Sequence, residues 1–161
     1  MSTNPNADRF APLAPDHAAV WTQFPNWNRP FFSGHLGIVL EEVRTDYARM
    51  RLPFRSELAQ PAGVMHGGAI TSLIDTVVVP AIGSAFPEFR PLFTIDLQVQ
   101  FLEPIASEDA VAEGWVVKRG RSTVFCRAEV RTAAGALAAA GTLVYKVGSR
   151  PQPIPGTTQA R

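Results

Sequence analysis

An isolated carboxylate and a histidine-glycine motif are the groups in this sequence that could do chemistry. Asp75 is the only formally charged residue between Glu57 and Glu88. Because burying a carboxylate among apolar residues is costly, such a group usually faces water or pairs with a partner. The motif His66-Gly67-Gly68 precedes it by nine residues, and glycines at a helix start leave backbone N–H groups open to an anion. The segment therefore combines an acid with a candidate anion-binding helix start.

A long helix must position both groups. It is predicted from about Gly67 to Gly83, because apolar residues recur there at helical spacing: Ile70, Leu73, Ile74, Val77, Val78, Ala81 and Ile82. Asp75 points roughly opposite the centre of this stripe. Its own face is also apolar, with Val79 one turn beyond it. We therefore expect something other than the chain's own core to cover Asp75.

Strand-like segments flank this helix on both sides. Two precede it, Leu36–Val43 and Tyr47–Phe54, and four follow it, Leu92–Leu102, Ala110–Arg119, Thr123–Thr132 and Leu137–Val147. The alternation in the segment Leu92–Leu102 predicts two faces. One face carries Phe93, Ile95, Leu97, Val99 and Phe101, and the other carries Thr94, Asp96, Gln98 and Gln100. Since the helix has nothing else to bury its stripe against, we predict an α+β fold, with a curved antiparallel sheet of about six strands around one long central helix.

The composition narrows the class of protein. The 161 residues suit one domain, and a net charge of +1 gives no overall field that would recruit nucleic acid or an anionic membrane. Prolines and glycines interrupt residues 58–87, which predicts a buried helix and not a membrane span. Cys126 is the only cysteine, so no intrachain disulfide forms and a reducing cytoplasm is expected. His17, His35 and His66 lack ligand-like spacing, so no metal site is predicted.

The domain boundaries follow from local composition. Residues 1–30 are predicted to form a leader with a short helix near Asp16, and residues 31–147 the folded domain. Residues 148–161 contain three prolines and little apolar content, which predicts a disordered tail.

The run from Gln60 to Ala69, with Leu73 and Asp75 after it, resembles the motif of the PaaI-like acyl-CoA thioesterases of the hot-dog fold. That motif has Asn or Gln, two residues, Gly, two residues, His-Gly-Gly, and Asp nine residues after the His. The resemblance extends over roughly residues 36–147. It implies a homodimer at least, and a homotetramer as a dimer of dimers, with active sites at the interface between two subunits.

The resemblance also implies roles for individual residues. Asp75 would activate water or attack the acyl carbonyl itself, and the Gly67 amide at the helix start would hold the developing oxyanion. His66 would orient that loop, Gln60 would position water or polarise the carbonyl, and the Thr94 hydroxyl would orient the water or the carboxylate. Gly68, Val79 and Ile82 are candidates for substrate contacts. The basic turn, defined as Lys118, Arg119, Gly120, Arg121 and Ser122, would suit coenzyme A phosphates.

Three functions compete at this stage. The first is an acyl-CoA thioesterase that needs no cofactor, because coenzyme A is part of its substrate and product. The second is a non-catalytic acyl-CoA-binding or sensing module that kept the fold. The third is a hydratase or dehydratase of a related branch, whose different Asp and His arrangement is not seen in this sequence.

Overall fold

An antiparallel sheet of six strands packs against one long helix in the computed structural model, which describes residues 6–27 and 29–154. The helices are α1 (Pro15–Trp21), α2 (Phe32–His35) and α3 (Gly67–Gly83), with two 3-10 turns at Ala7–Arg9 and Ser56–Leu58. The strands are β1 (Val39–Arg44), β2 (Tyr47–Leu52), β3 (Leu92–Phe101), β4 (Ala110–Arg119), β5 (Thr123–Thr132) and β6 (Leu137–Val147). The predicted α+β fold is confirmed.

The sheet has the strand order β1-β2-β4-β5-β6-β3, so that β1 and β3 form its two edges. All its strand pairs are antiparallel. The first strand begins at Val39, three residues later than predicted, because Phe32–His35 forms a helical turn that Leu36 ends. The four later strands follow the predicted bounds to within one residue.

Helix α3 fills the concave side of the sheet. Leu73, Ile74, Val77 and Val78 are fully buried there, as the predicted stripe requires. A close approach to the sheet is possible because β4 carries Gly114, where a Cβ would lie 2.8 Å from Val77 Cγ1. Among the described residues, no helix has both the length and the apolar character needed to cross a membrane.

The N-terminal segment packs over the C-terminal end of α3. Trp21 is fully buried, and a Cβ on Gly83 would come within 2.0 Å of its ring. The Trp21 indole N–H donates to the Phe86 carbonyl at 3.2 Å. Residues 148–154, the first part of the expected tail, also contact the domain, since Gln152 N–H donates to the Phe89 carbonyl at 2.9 Å. Residues 1–5 and 155–161 lie outside the described residues.

A β-bulge interrupts the predicted alternation of β3. Thr94 pairs with Tyr145 and Asp96 pairs with Val144, so Ile95 is an extra residue without an opposite partner in β6. The prediction that Phe93 and Ile95 share a face with Leu97 is therefore wrong. The bulge turns Thr94 toward the helix and leaves Phe93 and Ile95 58% and 60% exposed.

Candidate active site

His66 caps the start of α3. Its backbone is extended (φ −65°, ψ 136°), and its side-chain Nδ1 accepts a hydrogen bond from the Gly68 N–H at 2.8 Å. Because Nδ1 acts as the acceptor, the neutral ring carries its proton on Nε2. The close fit also explains why residue 68 is a glycine, since a Cβ there would lie 3.0 Å from Nδ1. His66 thus orients the helix start, and this contact gives it no acid-base task.

The Gly67 amide is the open donor of this helix start. The N–H groups of Ala69 and Ile70 both donate to the His66 carbonyl, whereas the Gly67 N–H makes no hydrogen bond within the described part of the chain. Gly67 borders a cavity of about 450 Å³ together with Gln60, His66 and Phe101 of β3. The first helical amide can therefore donate to a negative oxygen in that cavity.

Gln60 borders the same cavity from the preceding loop. Its side-chain Oε1 accepts from the Ala62 N–H at 3.1 Å, and its carbonyl accepts from the Gly63 N–H at 2.8 Å. Gly63 closes this turn with a φ of 83°, a conformation that favours glycine. With Oε1 engaged in the loop, the Gln60 Nε2 group is the part that can donate to a ligand.

Two hydroxyl groups of the chain's own sheet hold the Asp75 carboxylate. Thr94 Oγ1 donates to Asp75 Oδ1 at 3.0 Å, and the Tyr145 hydroxyl lies 2.5 Å from the same oxygen. The Tyr145 hydroxyl also lies 2.8 Å from the Asp75 carbonyl oxygen. We expected something other than the chain's own core to cover Asp75. This needs correction, because the bulge in β3 and the core residue Tyr145 of β6 bring two hydroxyl groups to it.

Tyr145 was not predicted as a site residue. It lies in β6 on the same face as Leu143 and Val147 and is only 2% exposed, so its sequence pattern is that of an ordinary core aromatic. Burial, followed by the nearby Asp75 charge, raises the pKa of Tyr145 far above that of a free phenol. The hydroxyl consequently keeps its proton and remains a donor.

Gly67 and Asp75 of one chain cannot act on the same carbonyl group. They are eight residues apart on α3, which corresponds to about 12 Å at 1.5 Å per residue. A hydrogen-bond donor and a base or nucleophile must both lie within about 3 Å of the reacting atoms. Within a single chain, the open Gly67 amide and the Asp75 carboxylate therefore belong to two separate places on α3.

The basic turn lies at the opposite end of α3 from Gly67, about 24 Å away by helix rise. Arg119 forms an ion pair with Asp46, and its Nη2 donates to the Ile82 carbonyl at 2.8 Å, so it stabilises the end of the helix. Arg119, Gly120, Arg121 and Ser122 border a cavity of about 600 Å³, together with Arg90. The exposed Lys118 does not border it.

Val79 and Ile82 lie in the packed interior. Ile82 is fully buried, and Val79 is half-buried against both hydrophobic clusters. Neither borders the cavity at Gly67. Gly68 is exposed beside a second cavity of about 360 Å³, which Phe32, Leu58 and Ser72 also line. The structure therefore brings Gln60, His66, Gly67 and Gly68 together at one end of α3 and pairs Asp75 with Thr94 further along it.

A six-stranded antiparallel sheet packed against one long central helix is the hot-dog fold. Residues 62–139 match the family model described as the thioesterase superfamily. The match covers 78 of the chain's 161 residues and assigns this part of the chain to the thioesterase superfamily.

Named relatives agree with this assignment. A Haemophilus influenzae protein named "Putative esterase" is 26% identical over 113 residues, which cover 70% of this chain and 82% of that protein. A Halobacterium salinarum protein, also named a "Putative esterase", is 37% identical over 94 residues, which cover 55% of this chain and 61% of that protein. The E. coli PaaI structure superimposes with a TM-score of 0.75 at 18% identity, covering 86% of this chain and 99% of PaaI, and shows the shared fold.

Proposed function

We propose that this protein is an acyl-CoA thioesterase that hydrolyses an aryl- or aliphatic acyl-CoA to the free acid and coenzyme A. One observation carries the proposal: the unpaired Gly67 N–H opens into a cavity at the start of the same helix that holds Asp75 by two hydroxyl groups. Membership in a superfamily of thioesterases and the esterase names of its relatives support the reaction class.

The chemistry requires a nucleophile and stabilisation of an oxyanion. In one route, Asp75 takes a proton from water while the water oxygen bonds to the thioester carbonyl carbon. In the other, an Asp75 oxygen itself attacks that carbon, and water hydrolyses the resulting anhydride. In both, the carbonyl oxygen becomes negative and accepts the Gly67 N–H. The carbon–sulfur bond then breaks, and the leaving thiolate of coenzyme A takes up a proton.

A dimer would bring the two halves of the site together. β3 is an edge strand that exposes Phe93, Ile95 and Phe101 at 58%, 60% and 54%, whereas the other edge, β1, carries Glu41, Glu42 and Arg44. Charged edges resist pairing, and exposed apolar edges favour it.

The positions along β3 support a shared site. Thr94 lies beside Asp75 near one end of the strand, and Phe101 lies beside Gly67 at the other end. If two copies of β3 pair antiparallel about the middle of the strand, Thr94 of one copy comes opposite Val99 of the other, two residues from Phe101. Asp75 of one subunit would then approach Gly67 of the partner subunit.

Mixing two inactive variants tests this shared site. We expect Asp75→Asn and Gly67→Pro each to be nearly inactive, and a refolded equimolar mixture to regain about a quarter of the wild-type activity. The reason is that half of a random mixture consists of mixed dimers, and each has one of its two sites intact. Initial rates of thiol release measure the recovery.

The matched control is each variant refolded alone at the same total concentration. If mixing gives no more activity than the sum of the two variants, Asp75 and Gly67 do not act across a subunit interface.

The cavity beside the basic turn suits the phosphates of coenzyme A. Arg121, Ser122, Arg90 and Arg119 border it, but the Arg119 guanidinium is already engaged by Asp46 and the end of α3. Arginine and hydroxyl groups are favourable partners for phosphate oxygens. We therefore assign phosphate binding to Arg121, Ser122 and Arg90, and helix stabilisation to Arg119.

A panel of acyl-CoA substrates tests the function directly. We expect release of free thiol, followed with a thiol-reactive chromophore, from at least one aryl- or aliphatic acyl-CoA, because base, donor and cavity are all present. The same panel without enzyme is the control. Tight binding of these compounds without thiol release would instead identify a non-catalytic acyl-CoA-binding protein, and hydration of an enoyl-CoA would identify a hydratase.

A further inference from the structure

We propose that Tyr145 is a positioning residue that fixes Asp75 Oδ1 and leaves Asp75 Oδ2 as the oxygen that reacts. The inference deepens the proposed thioesterase function and depends on it. It assigns a task to a buried hydroxyl group in β6 that lies outside the sequence motif.

The two oxygens of the Asp75 carboxylate have different surroundings. Oδ1 accepts from Thr94 Oγ1 at 3.0 Å and lies 2.5 Å from the Tyr145 hydroxyl. Within the described residues, Oδ2 accepts no hydrogen bond. Two donors on one oxygen set the plane of the carboxylate and direct the other oxygen away from both. Oδ2 is therefore available to water or to a carbonyl carbon.

Tyr145 is suited to hold a carboxylate in a fixed position. Its side chain is 2% exposed and packs in the core of the sheet, so the ring has little freedom to move. Its hydroxyl remains protonated, because burial and the Asp75 charge both raise its pKa. A flexible or ionised group could not hold the carboxylate in this way.

The position of the hydroxyl supports a task beyond satisfying the tyrosine itself. The Asp75 main-chain carbonyl, at 2.8 Å, would be sufficient as an acceptor for a buried phenol. Instead, the hydroxyl lies between that carbonyl and the carboxylate and contacts both. The phenol has one proton to donate, and its shorter contact is the one to the charged acceptor, Asp75 Oδ1.

Steady-state kinetics of Tyr145→Phe test the inference. We expect kcat to fall by about 10- to 100-fold, because a carboxylate misplaced by even about 1 Å loses much of its catalytic effect. KM is expected to stay within about threefold, since Tyr145 does not border the cavity at Gly67. The matched control is Tyr47→Phe, which removes the hydroxyl of another buried tyrosine. The Tyr47 hydroxyl interacts with Glu113, and its ring stacks against Phe10. Tyr47→Phe should keep the wild-type kcat.

Different outcomes separate this inference from the proposed function. A wild-type kcat in Tyr145→Phe, with Asp75→Asn inactive, would overturn the role of Tyr145 and leave the thioesterase proposal intact. A fully active Asp75→Asn would overturn both. If Tyr145→Phe does not fold, variants of the exposed Thr94, the other donor to Oδ1, test the fixation of this oxygen. The kcat of Thr94→Val should fall about tenfold further than that of Thr94→Ser. Equal kcat values in the two variants would count against fixation of Oδ1.

Discussion

Replacing Asp75 with asparagine is expected to lower kcat for thioester hydrolysis by about a thousandfold or more. Asparagine has the same shape, and its Oδ1 can still accept from Thr94 and Tyr145. It cannot take a proton from water, and its neutral amide is a poor nucleophile. General-base catalysis alone is worth about 10²- to 10⁴-fold, so the loss should appear in kcat and leave the fold intact.

The thiol-release assay and a thermal unfolding curve measure the effect together. Asp16→Asn is the matched control, because Asp16 is exposed in α1 and lies away from both Asp75 and the β3 edge. It should retain wild-type kcat. An Asp75→Asn enzyme within tenfold of wild type would show that another group activates the nucleophile.

Replacing Gly67 with proline is expected to lower kcat by about 100- to 1000-fold, the usual cost of losing one oxyanion donor. Proline removes the N–H that opens into the cavity. It is also well tolerated at the first position of a helix, and the extended backbone of His66 (ψ 136°) suits a residue that precedes proline. The helix should therefore persist without its first donor.

Gly67→Ala separates the lost donor from simple crowding. Both variants add a Cβ that would lie 3.2 Å from Phe101 Cζ, but alanine keeps the N–H. Phe101 is 54% exposed and can shift, so we expect alanine to lose less than about tenfold. Equal losses in the two variants, or a proline effect confined to KM, would point to a steric effect and count against an oxyanion donor.

The fold could be predicted because hydrophobic periodicity determines it. The α3 stripe has one way to be buried, against a sheet, and the four later strands carry clear period-two patterns. The position of the N-terminal segment was harder to predict, since its helix is short. Its attachment depends on Trp21 packing against Gly83, a long-range contact that local patterns do not report.

The site residues that belong to a motif with fixed spacing could be predicted from the sequence. Those whose role depends on long-range tertiary contacts could not. Gln60, His66 and Gly67 lie within eight residues of one another, and the structure brings them to one cavity. Arg119 is predicted as a phosphate contact and does border the cavity beside the basic turn, but its pairing with Asp46, 73 residues away in sequence, could not be predicted. Tyr145 was missed because an aromatic residue on the inner face of a strand is usually core.

The bulge in β3 also affects how relatives should be aligned. Thr94 reaches Asp75 because one extra residue, Ile95, shifts the alternation of the strand. In a relative whose β3 is regular, the corresponding hydroxyl residue would lie one position closer in sequence to the inward-facing residue that matches Leu97. Ungapped alignments across this strand would then match Thr94 with an outward-facing residue, and a one-residue gap at Ile95 would restore the correspondence of the hydroxyl groups.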